Sequence, residues 1–190
     1  FVLNKSIANE MDTTTSPAKV EQAVYSVLQG VDNTPYSITI DGTTTTFTSS
    51  NTNTKSIRDG LKSAIGSPSG ITLANIGDSS FSIVKSSGTL SISASDGFGD
   101  DASQVVADTV QNFSDLPQPA INGMVVEVTG DASNNFDNYY VKYNVDVWEE
   151  TVKPATPINI KNTKFPHLLI RTADGNFRFT QIDGSSYTIS

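Results

Sequence analysis

The sequence contains no cysteine, and this absence removes several kinds of site at once. Disulfide bridges, thiolate metal sites and cysteine nucleophiles all need that side chain. The one histidine, His167, lies between Pro166 and an apolar run that begins at Leu168. A Ser-His-Asp triad would have to use His167, and no Gly-x-Ser-x-Gly turn for a serine nucleophile accompanies it. We therefore predict that His167 is structural and that the chain is not an enzyme.

Long apolar runs and positive charges are also scarce. No hydrophobic run approaches the roughly 20 residues that a membrane helix needs. The chain has 12 Lys and Arg residues against 20 Asp and Glu residues, a net charge of −8 at pH 7. Tight nucleic-acid binding needs clustered basic side chains that displace counterions from the phosphates, which argues against such binding here. The negative charge either keeps the chain in solution or repels the phosphates of DNA that slides through a conduit.

The residues that are abundant favour strands. Of the 190 residues only 36% are hydrophobic, and Thr, Ser, Asn, Asp and Gly fill much of the remainder, a composition typical of strands joined by turns. We predict an α+β, strand-rich fold, in which antiparallel β-sheets carry one or two short helices packed on them. We divide the chain into an extended lead segment over residues 1–21, a small α+β module over residues 22–112, which we interpret as an insertion, and an all-β module over residues 113–190.

The α+β module begins with alternating patterns. Residues 22–29 and 36–40 are predicted to be neighbouring strands, and the three apolar residues of the second would share one face. Asp41-Gly42 predicts a hairpin turn into a returning strand over residues 43–48.

The period changes over residues 54–65, where apolar residues recur at the spacing of a helix. Asn53 or Thr54 would be the N-cap, and Gly66 would end the helix. Gly60 inside the helix costs up to about 1 kcal/mol relative to alanine. A close approach of the helix to the sheet would explain this glycine.

Three further strands and a second helix complete the prediction for this module. The strands are expected over residues 71–76, 81–85 and 89–94, with a turn at Ser87-Gly88 between the last two. Asp101-Ala-Ser-Gln104 fits a capping-box pattern, so we predict a helix over residues 102–112. From residue 122 onward nearly every segment alternates like a strand, namely 124–128, 139–143, 147–152, and a hairpin of 168–171 and 177–181 across Asp174-Gly175.

Two acidic segments are candidate cation sites. The loop Asp96-Gly-Phe-Gly-Asp-Asp101 could surround a hard cation with oxygen ligands, but it lacks the spacing of an EF-hand, so we predict an ordinary glycine-rich turn. The segment from Asp131 to Asp137 is also rich in Asp and Asn, which is typical of a long hairpin loop.

One pair of carboxylates and a group of aromatic residues are candidates for binding sugars. Glu149 and Glu150 are adjacent on a predicted strand, so they would point to opposite faces and would not act as a glycosidase pair. The aromatic side chains of this region could stack on sugar rings, but such clusters are more often half core and half interface; they are Tyr139, Tyr140, Tyr143 and Trp148. We predict no catalytic, cofactor-binding or metal-binding residue.

Several short segments also occur in a characteristic order. They are Phe1-Val-Leu-Asn-Lys5, Phe113-Ser-Asp-Leu-Pro117, Asn122-Gly-Met-Val-Val-Glu-Val-Thr-Gly-Asp131, Tyr139-Tyr-Val-Lys-Tyr143, Trp148-Glu-Glu-Thr151 and Pro166-His-Leu-Leu-Ile-Arg-Thr-Ala-Asp-Gly-Asn-Phe-Arg-Phe179. This order resembles the tail tubular protein B, or nozzle, family of short-tailed, podovirus-type bacteriophages. The two ends of the chain carry the resemblance, and the middle departs from it. The resemblance implies that the chain is a fragment of such a protein.

The resemblance implies a structural part of the virion tail without cofactors. It implies a ring of identical subunits that continues the channel below the portal and adaptor and holds or gates the genome until ejection. The implied partners are other copies of the protein, the adaptor (tail tubular protein A), tail fibre proteins, and passing DNA that is not tightly bound. Two alternatives stay open: a glycan-binding or glycan-degrading module at the host cell envelope, and a β-sandwich adhesion domain that attaches to the host.

Overall fold

A computed structural model of the chain describes residues 16–130, 138–156, 167–171, 177–181 and 186–189. The predicted loop over residues 131–137 and the turn at Asp174-Gly175 lie outside these residues. The chain forms two compact units. One comprises Lys19–Val152, and the other combines the residues before Lys19 with those from Lys153 onward.

The larger unit holds eleven strands, one α-helix and one turn of 3₁₀-helix. In chain order they are β1 (Gln22–Val27), β2 (Pro35–Ile40), β3 (Thr43–Thr48), α1 (Thr54–Ile65), β4 (Ile71–Asn75), β5 (Ser80–Lys85), β6 (Ile92–Asp96), β7 (Ser103–Val106), β8 (Thr109–Val110), the 3₁₀ turn (Phe113–Asp115), β9 (Val125–Val128), β10 (Tyr139–Asn144) and β11 (Val147–Thr151). The fold class predicted from the sequence is therefore confirmed, with one α-helix among the described residues.

Strand β1 lies inside the unit and has no exposed side. It pairs antiparallel with β5 and β7 in a sheet of order β4-β5-β1-β7, and all six of its residues are buried. Tyr25 packs into a first hydrophobic core, which also contains Phe81 from β5. Val24, one residue earlier, packs into a second core with Val126 from β9. Because successive side chains of a strand point to opposite faces, β1 contributes to both cores.

The strand expected over residues 22–29 is confirmed, but the prediction that it pairs with residues 36–40 is wrong. Strand β2 pairs with β3 and β6 in a separate three-stranded sheet of order β3-β2-β6. The residues of β1 are buried on both faces, which suits a central strand. In β2 only Tyr36, Ile38 and Ile40 are buried, so β2 suits a sheet with one face covered. The turn near Ser87 likewise connects β5 and β6 in two different sheets.

Helix α1 begins and ends where the sequence predicts. The Asn53 side chain accepts a hydrogen bond from the Ser56 N–H, and Gly66 follows the last turn with φ of 71°. Ile57 and Leu61 are buried, but so is Arg58. The Arg58 guanidinium donates to the Gly77 carbonyl and lies 2.7 Å from a carboxylate oxygen of Asp59. A buried guanidinium needs such partners because an unpaired charge away from water is costly.

Gly60 lies where the helix packs closely against the sheet, as predicted. A Cβ atom at this position would overlap the ring of Phe47 from β3. We expect Gly60→Ala to lower the free energy of unfolding by about 1–2 kcal/mol, because overpacking outweighs the better helix propensity of alanine. In a Phe47→Leu background the same substitution should raise the free energy of unfolding by up to about 1 kcal/mol. Urea unfolding of the four proteins checks this, and equal effects in both backgrounds would contradict it.

The helix predicted over residues 102–112 is wrong, because this segment forms β7 and β8. Val105 packs against the first core and Val106 belongs to the second, so the segment has the two-residue period of a strand. The predicted capping box at Asp101 is also wrong, because the carboxylate that accepts hydrogen bonds from this segment belongs to Asp96. It accepts hydrogen bonds from the Ala102 N–H and the Ser103 hydroxyl. Valine also suits a strand better than a helix.

A third sheet covers the second core in the order β11-β10-β9-β8. Its β9–β10 and β10–β11 pairs are antiparallel, and β8 pairs parallel with β9. The buried residues Val126, Val128, Val141 and Tyr143 alternate as the sequence predicts. In the smaller unit, β12 (His167–Arg171), β13 (Phe177–Gln181) and β14 (Ser186–Ile189) form an antiparallel sheet, and the predicted pairing of the first two strands is confirmed.

Candidate functional site

The acidic loop after β6 is an internally bonded turn, as predicted. One carboxylate oxygen of Asp96 accepts from the Phe98 N–H at 2.8 Å, and the other accepts from the Ser103 hydroxyl at 2.9 Å. Asp100 in turn accepts from the Asp96 N–H at 2.9 Å. The oxygens that would hold a cation are thus occupied by hydrogen bonds of the loop. Among the residues described here, no group of three or more His, Asp or Glu side chains is placed to bind a metal ion.

We expect Asp96→Ala to lower the free energy of unfolding by about 1–2 kcal/mol, because the buried Ala102 N–H loses its acceptor. Asp101→Ala is the matched control, since Asp101 is exposed, and its effect should stay within about 0.5 kcal/mol. Thermal unfolding with and without millimolar Ca²⁺ completes the experiment. A rise of the midpoint with Ca²⁺ that Asp96→Ala abolishes would show that the loop binds the cation after all.

Glu149 and Glu150 lie on opposite faces of β11, as predicted. Glu149 is opposite Lys142 and Glu150 is opposite Val141 in the register with β10. Both glutamates are exposed. Side chains that point to opposite faces cannot flank one glycosidic bond from its two sides.

The aromatic group belongs mainly to the second core, as expected for a cluster that is partly core. The rings of Tyr143 and Trp148 pack at a centroid distance of 5.2 Å, and the Trp148 indole donates to the Pro117 carbonyl at 3.1 Å. Tyr139 packs against the same core. The Tyr140 side chain is half-buried, and burial together with the nearby Glu127 carboxylate raises the pKa of its hydroxyl.

His167 begins β12 opposite Gln181. A small cleft of about 200 Å³ lies between α1 and the β2–β3 hairpin. Its lining residues are Ile40, Asp41, Thr43, Thr45, Ile65, Pro68, Ser69 and Ile71. The one carboxylate among them, Asp41, lies 2.7 Å from the ammonium of Lys85. This hydrogen bond holds the pKa of Asp41 below its usual value, and an acid fixed in its charged form is a poor proton donor at neutral pH.

On the outer face of the β3-β2-β6 sheet, the cross-strand pairs around Ser37 and Thr39 consist of small hydroxyl side chains. Ser37 hydrogen-bonds Thr46 and Thr39 hydrogen-bonds Thr44, each at 2.8 Å. Ser95 and Ser93 of β6 stand opposite Ser37 and Thr39. This face is polar and uncharged, so it provides neither a reactive group nor an attraction for phosphates.

The β10–β11 hairpin leaves one strand of the third sheet open. Strand β11 is the last strand in the order β11-β10-β9-β8. The turn residues Val145 and Asp146 have φ of 41° and 69°. Val145 and Val147 are 75% and 55% exposed. We call this region, from Val145 to Thr151, the open edge. Sequence reasoning missed it, because Val-Asp is not a dipeptide that predicts a turn of this kind.

Two comparisons relate the chain to known proteins. A family model described as bacteriophage nozzle protein matches residues 1–187. Over 97 residues the chain is 40% identical to tail tubular protein gp12 of Escherichia phage T7, and this alignment covers 50% of the chain and 12% of that relative. Neither comparison supports the glycan-directed or adhesion alternatives. Within the described segments, no helix is long and apolar enough to span a membrane.

Proposed function

The chain belongs to the bacteriophage nozzle protein family and is thus a structural component of a virion tail, and from this premise we propose that the whole protein lines part of the channel through which DNA is ejected. The family match over residues 1–187 is the observation that carries the proposal. In this function the chain works by shape and association, without an active site. The alignment with the T7 relative spans only 12% of that protein's length.

The charge of the chain supports a channel that does not bind DNA tightly. Its net charge of −8 repels phosphates. Three of its cations are already paired with carboxylates at 2.7 Å: Lys19 with Asp108, Arg58 with Asp59, and Lys85 with Asp41. Because these charges are neutralised within the fold, they contribute little to displacing counterions from DNA.

We propose that the partners are other copies of the protein in a ring, the adaptor (tail tubular protein A) and tail fibre proteins. Strands β3, β4 and β11 are each the last strand of a sheet in the larger unit. This is consistent with contacts of this kind, because unpaired strand edges are ready to accept another strand. The insertion over residues 22–112 stays a prediction, and full-length relatives with and without this stretch would test it.

The mass of the whole protein in solution tests the assembly. Light scattering of the purified full-length protein should give the mass of several subunits, as expected for a closed ring. Labelled antibodies against the β2–β3 hairpin should mark the tail in intact particles. A monomer at high protein concentration, combined with label on the capsid only, would overturn the proposal.

DNA binding by that same assembly tests the channel surface. Fluorescence anisotropy with a labelled duplex should show no saturable binding at physiological salt. Tight binding that weakens steeply between low and moderate salt would reveal phosphate contacts and would contradict a surface over which DNA slides freely. Incubation with soluble polysaccharide from the host should release no reducing ends.

A further inference from the structure

We propose that the open edge accepts an extended segment of another protein as an additional strand, and that this segment carries two adjacent apolar residues followed or preceded by two adjacent basic residues. This proposal rests on the proposed function, because it specifies one surface through which a tail component contacts another protein. Its first support is the direction of the backbone groups on β11.

The backbone N–H and C=O groups of Trp148 point away from β10, toward the unpaired side of β11. On the neighbouring strand, the Tyr143 N–H donates to the Met124 carbonyl and the Tyr143 carbonyl accepts from the Gly123 N–H, both at 2.8 Å. Tyr143 therefore directs its backbone groups away from β11, although it is the register partner of Trp148. In an antiparallel pair such a residue is opposite one that also points outward. Trp148, and Glu150 two residues later, consequently offer their N–H and C=O groups to a further strand.

No strand from the described part of the chain covers this edge. Exposed edges of this kind are usually protected by proline, by a bulge or by charged side chains, lysine above all. Residues 147–151 contain no proline and no lysine, and their charged side chains are Glu149 and Glu150. The edge thus has the backbone groups that an added strand needs, and its two glutamates oppose an acidic strand but not a basic one.

The turn that leads into the edge is strained and is held in place. A β-branched residue with positive φ is an outlier, and such strain persists only where the surroundings fix it. Asp146 is fixed twice, since its carbonyl accepts from the Gln118 amide at 2.9 Å and its carboxylate accepts from the Tyr143 hydroxyl at 3.2 Å. The Val145 N–H is 3.4 Å from the Asn122 side-chain oxygen. The result is an exposed valine at a defined position beside the open strand.

The charges on β11 select the partner. A strand added to this edge would place its residues opposite Val147, Trp148, Glu149 and Glu150 in turn. Cross-strand pairs favour apolar residues opposite the first two and basic residues opposite the two glutamates. Pairing of two β11 strands around a two-fold axis at Glu149 or Glu150 would bring a glutamate opposite a glutamate, and around an axis at Trp148 it would bring Glu150 opposite Asp146. Like charges directly opposite each other are destabilising. The geometry therefore points to a different segment with the pattern basic-basic-apolar-apolar when it runs antiparallel.

Short peptides provide the probe. We would add Ac-Thr-Lys-Lys-Val-Val-Thr-NH₂ to the isotope-labelled chain and follow amide hydrogen exchange by NMR. The expected result is several-fold slower exchange at Trp148 and Glu150. The acidic peptide Ac-Thr-Glu-Glu-Val-Val-Thr-NH₂ should give no such protection. The reversed peptide Ac-Thr-Val-Val-Lys-Lys-Thr-NH₂ would give the stronger protection of the two basic peptides only if the added strand runs parallel to β11.

Two proline variants separate docking from folding. Glu150→Pro removes an outward N–H, so the hairpin should stay folded and protection by the basic peptide should be lost, because proline is tolerated where the N–H faces outward on an edge strand. Glu149→Pro removes an N–H directed at β10, so exchange of the hairpin amides themselves should speed up without any peptide. If both variants behave alike, the assigned backbone directions are wrong.

A charge swap tests the selection without proline. In the double variant Glu149→Lys with Glu150→Lys, protection by the basic peptide should be lost and protection by the acidic peptide should appear. Asp32→Lys with Asp78→Lys changes the net charge by the same amount outside the open edge and should leave the preference unchanged. The proposal falls if the basic peptide protects neither Trp148 nor Glu150, or if the control shifts the preference equally. Either result would leave the ring and tail measurements untouched, so failure here is distinct from failure of the proposed function.

Discussion

Replacing Phe81 with alanine is expected to lower the free energy of unfolding by about 3–5 kcal/mol, the usual cost of emptying an aromatic position in a core. The Phe81 side chain is fully buried in the first core. Its ring stacks on Tyr25 of the neighbouring strand at a centroid distance of 5.1 Å. The substitution therefore removes apolar burial and an aromatic contact together.

Urea unfolding followed by circular dichroism and by the fluorescence of Trp148 measures this loss. Trp148 packs against the second core, whereas Phe81 lies in the first. Because β1 contributes to both cores, the two signals should shift together. Phe113→Ala is the matched control, since Phe113 is 51% exposed, and it should change stability by less than about 0.5 kcal/mol. A shift in circular dichroism with an unchanged Trp148 transition would show that the cores unfold separately.

The Tyr25 hydroxyl is expected to make the larger unit sensitive to alkali. Burial raises the pKa of Tyr25 from 10.0 to about 12. The unfolded chain loses the Tyr25 proton at a lower pH than the folded chain does. The stability that the protonated hydroxyl contributes is therefore fully present below pH 10 and is lost as pH rises through about 12. By linkage the loss reaches about 1.4 kcal/mol near pH 11 and exceeds 2 kcal/mol near pH 12. Tyr25→Phe should remove this part of the alkaline loss.

The effect at neutral pH separates the hydroxyl from the ring. The Tyr25 hydroxyl is buried and makes no hydrogen bond of normal geometry among the described residues, so Tyr25→Phe should leave stability unchanged or slightly higher at pH 7. Tyr36 provides the contrast, because its hydroxyl donates to the Gln29 carbonyl at 2.8 Å and accepts from the Val31 N–H at 3.0 Å. Tyr36→Phe should therefore be destabilising at pH 7. Guanidinium unfolding of the three proteins from pH 7 to pH 11.5 checks both statements, and parallel pH profiles for wild type and Tyr25→Phe would contradict the first.

Local patterns predicted the elements of this fold better than their arrangement. The alternation in β2, the Asp41-Gly42 turn and the caps of α1 depend on neighbouring residues, so the sequence reveals them directly. The partners of β1 depend on burial at both of its faces, which no short window shows. The segment over residues 102–112 failed for a related reason. Its valines fit one side of a helix as well as two faces of a strand, and only the positions of the two cores distinguish these.

The candidate sites divide in the same way. The turn character of the Asp96 loop and the opposite faces of Glu149 and Glu150 follow from spacing, and both predictions are confirmed. The open edge could not be predicted. It depends on which strand is last in its sheet and on a Val-Asp turn whose conformation is fixed by side chains from distant parts of the sequence.

The position of β1 also bears on how residues 19–152 respond to mechanical force. Pulling this strand lengthwise would shear its ladders with β5 and β7 at the same moment, and it would drag side chains out of both cores. Such an arrangement resists tension far better than a hairpin that can be unzipped bond by bond. We therefore expect this unit to behave as one stiff block, with any bending of the protein taken up outside residues 19–152.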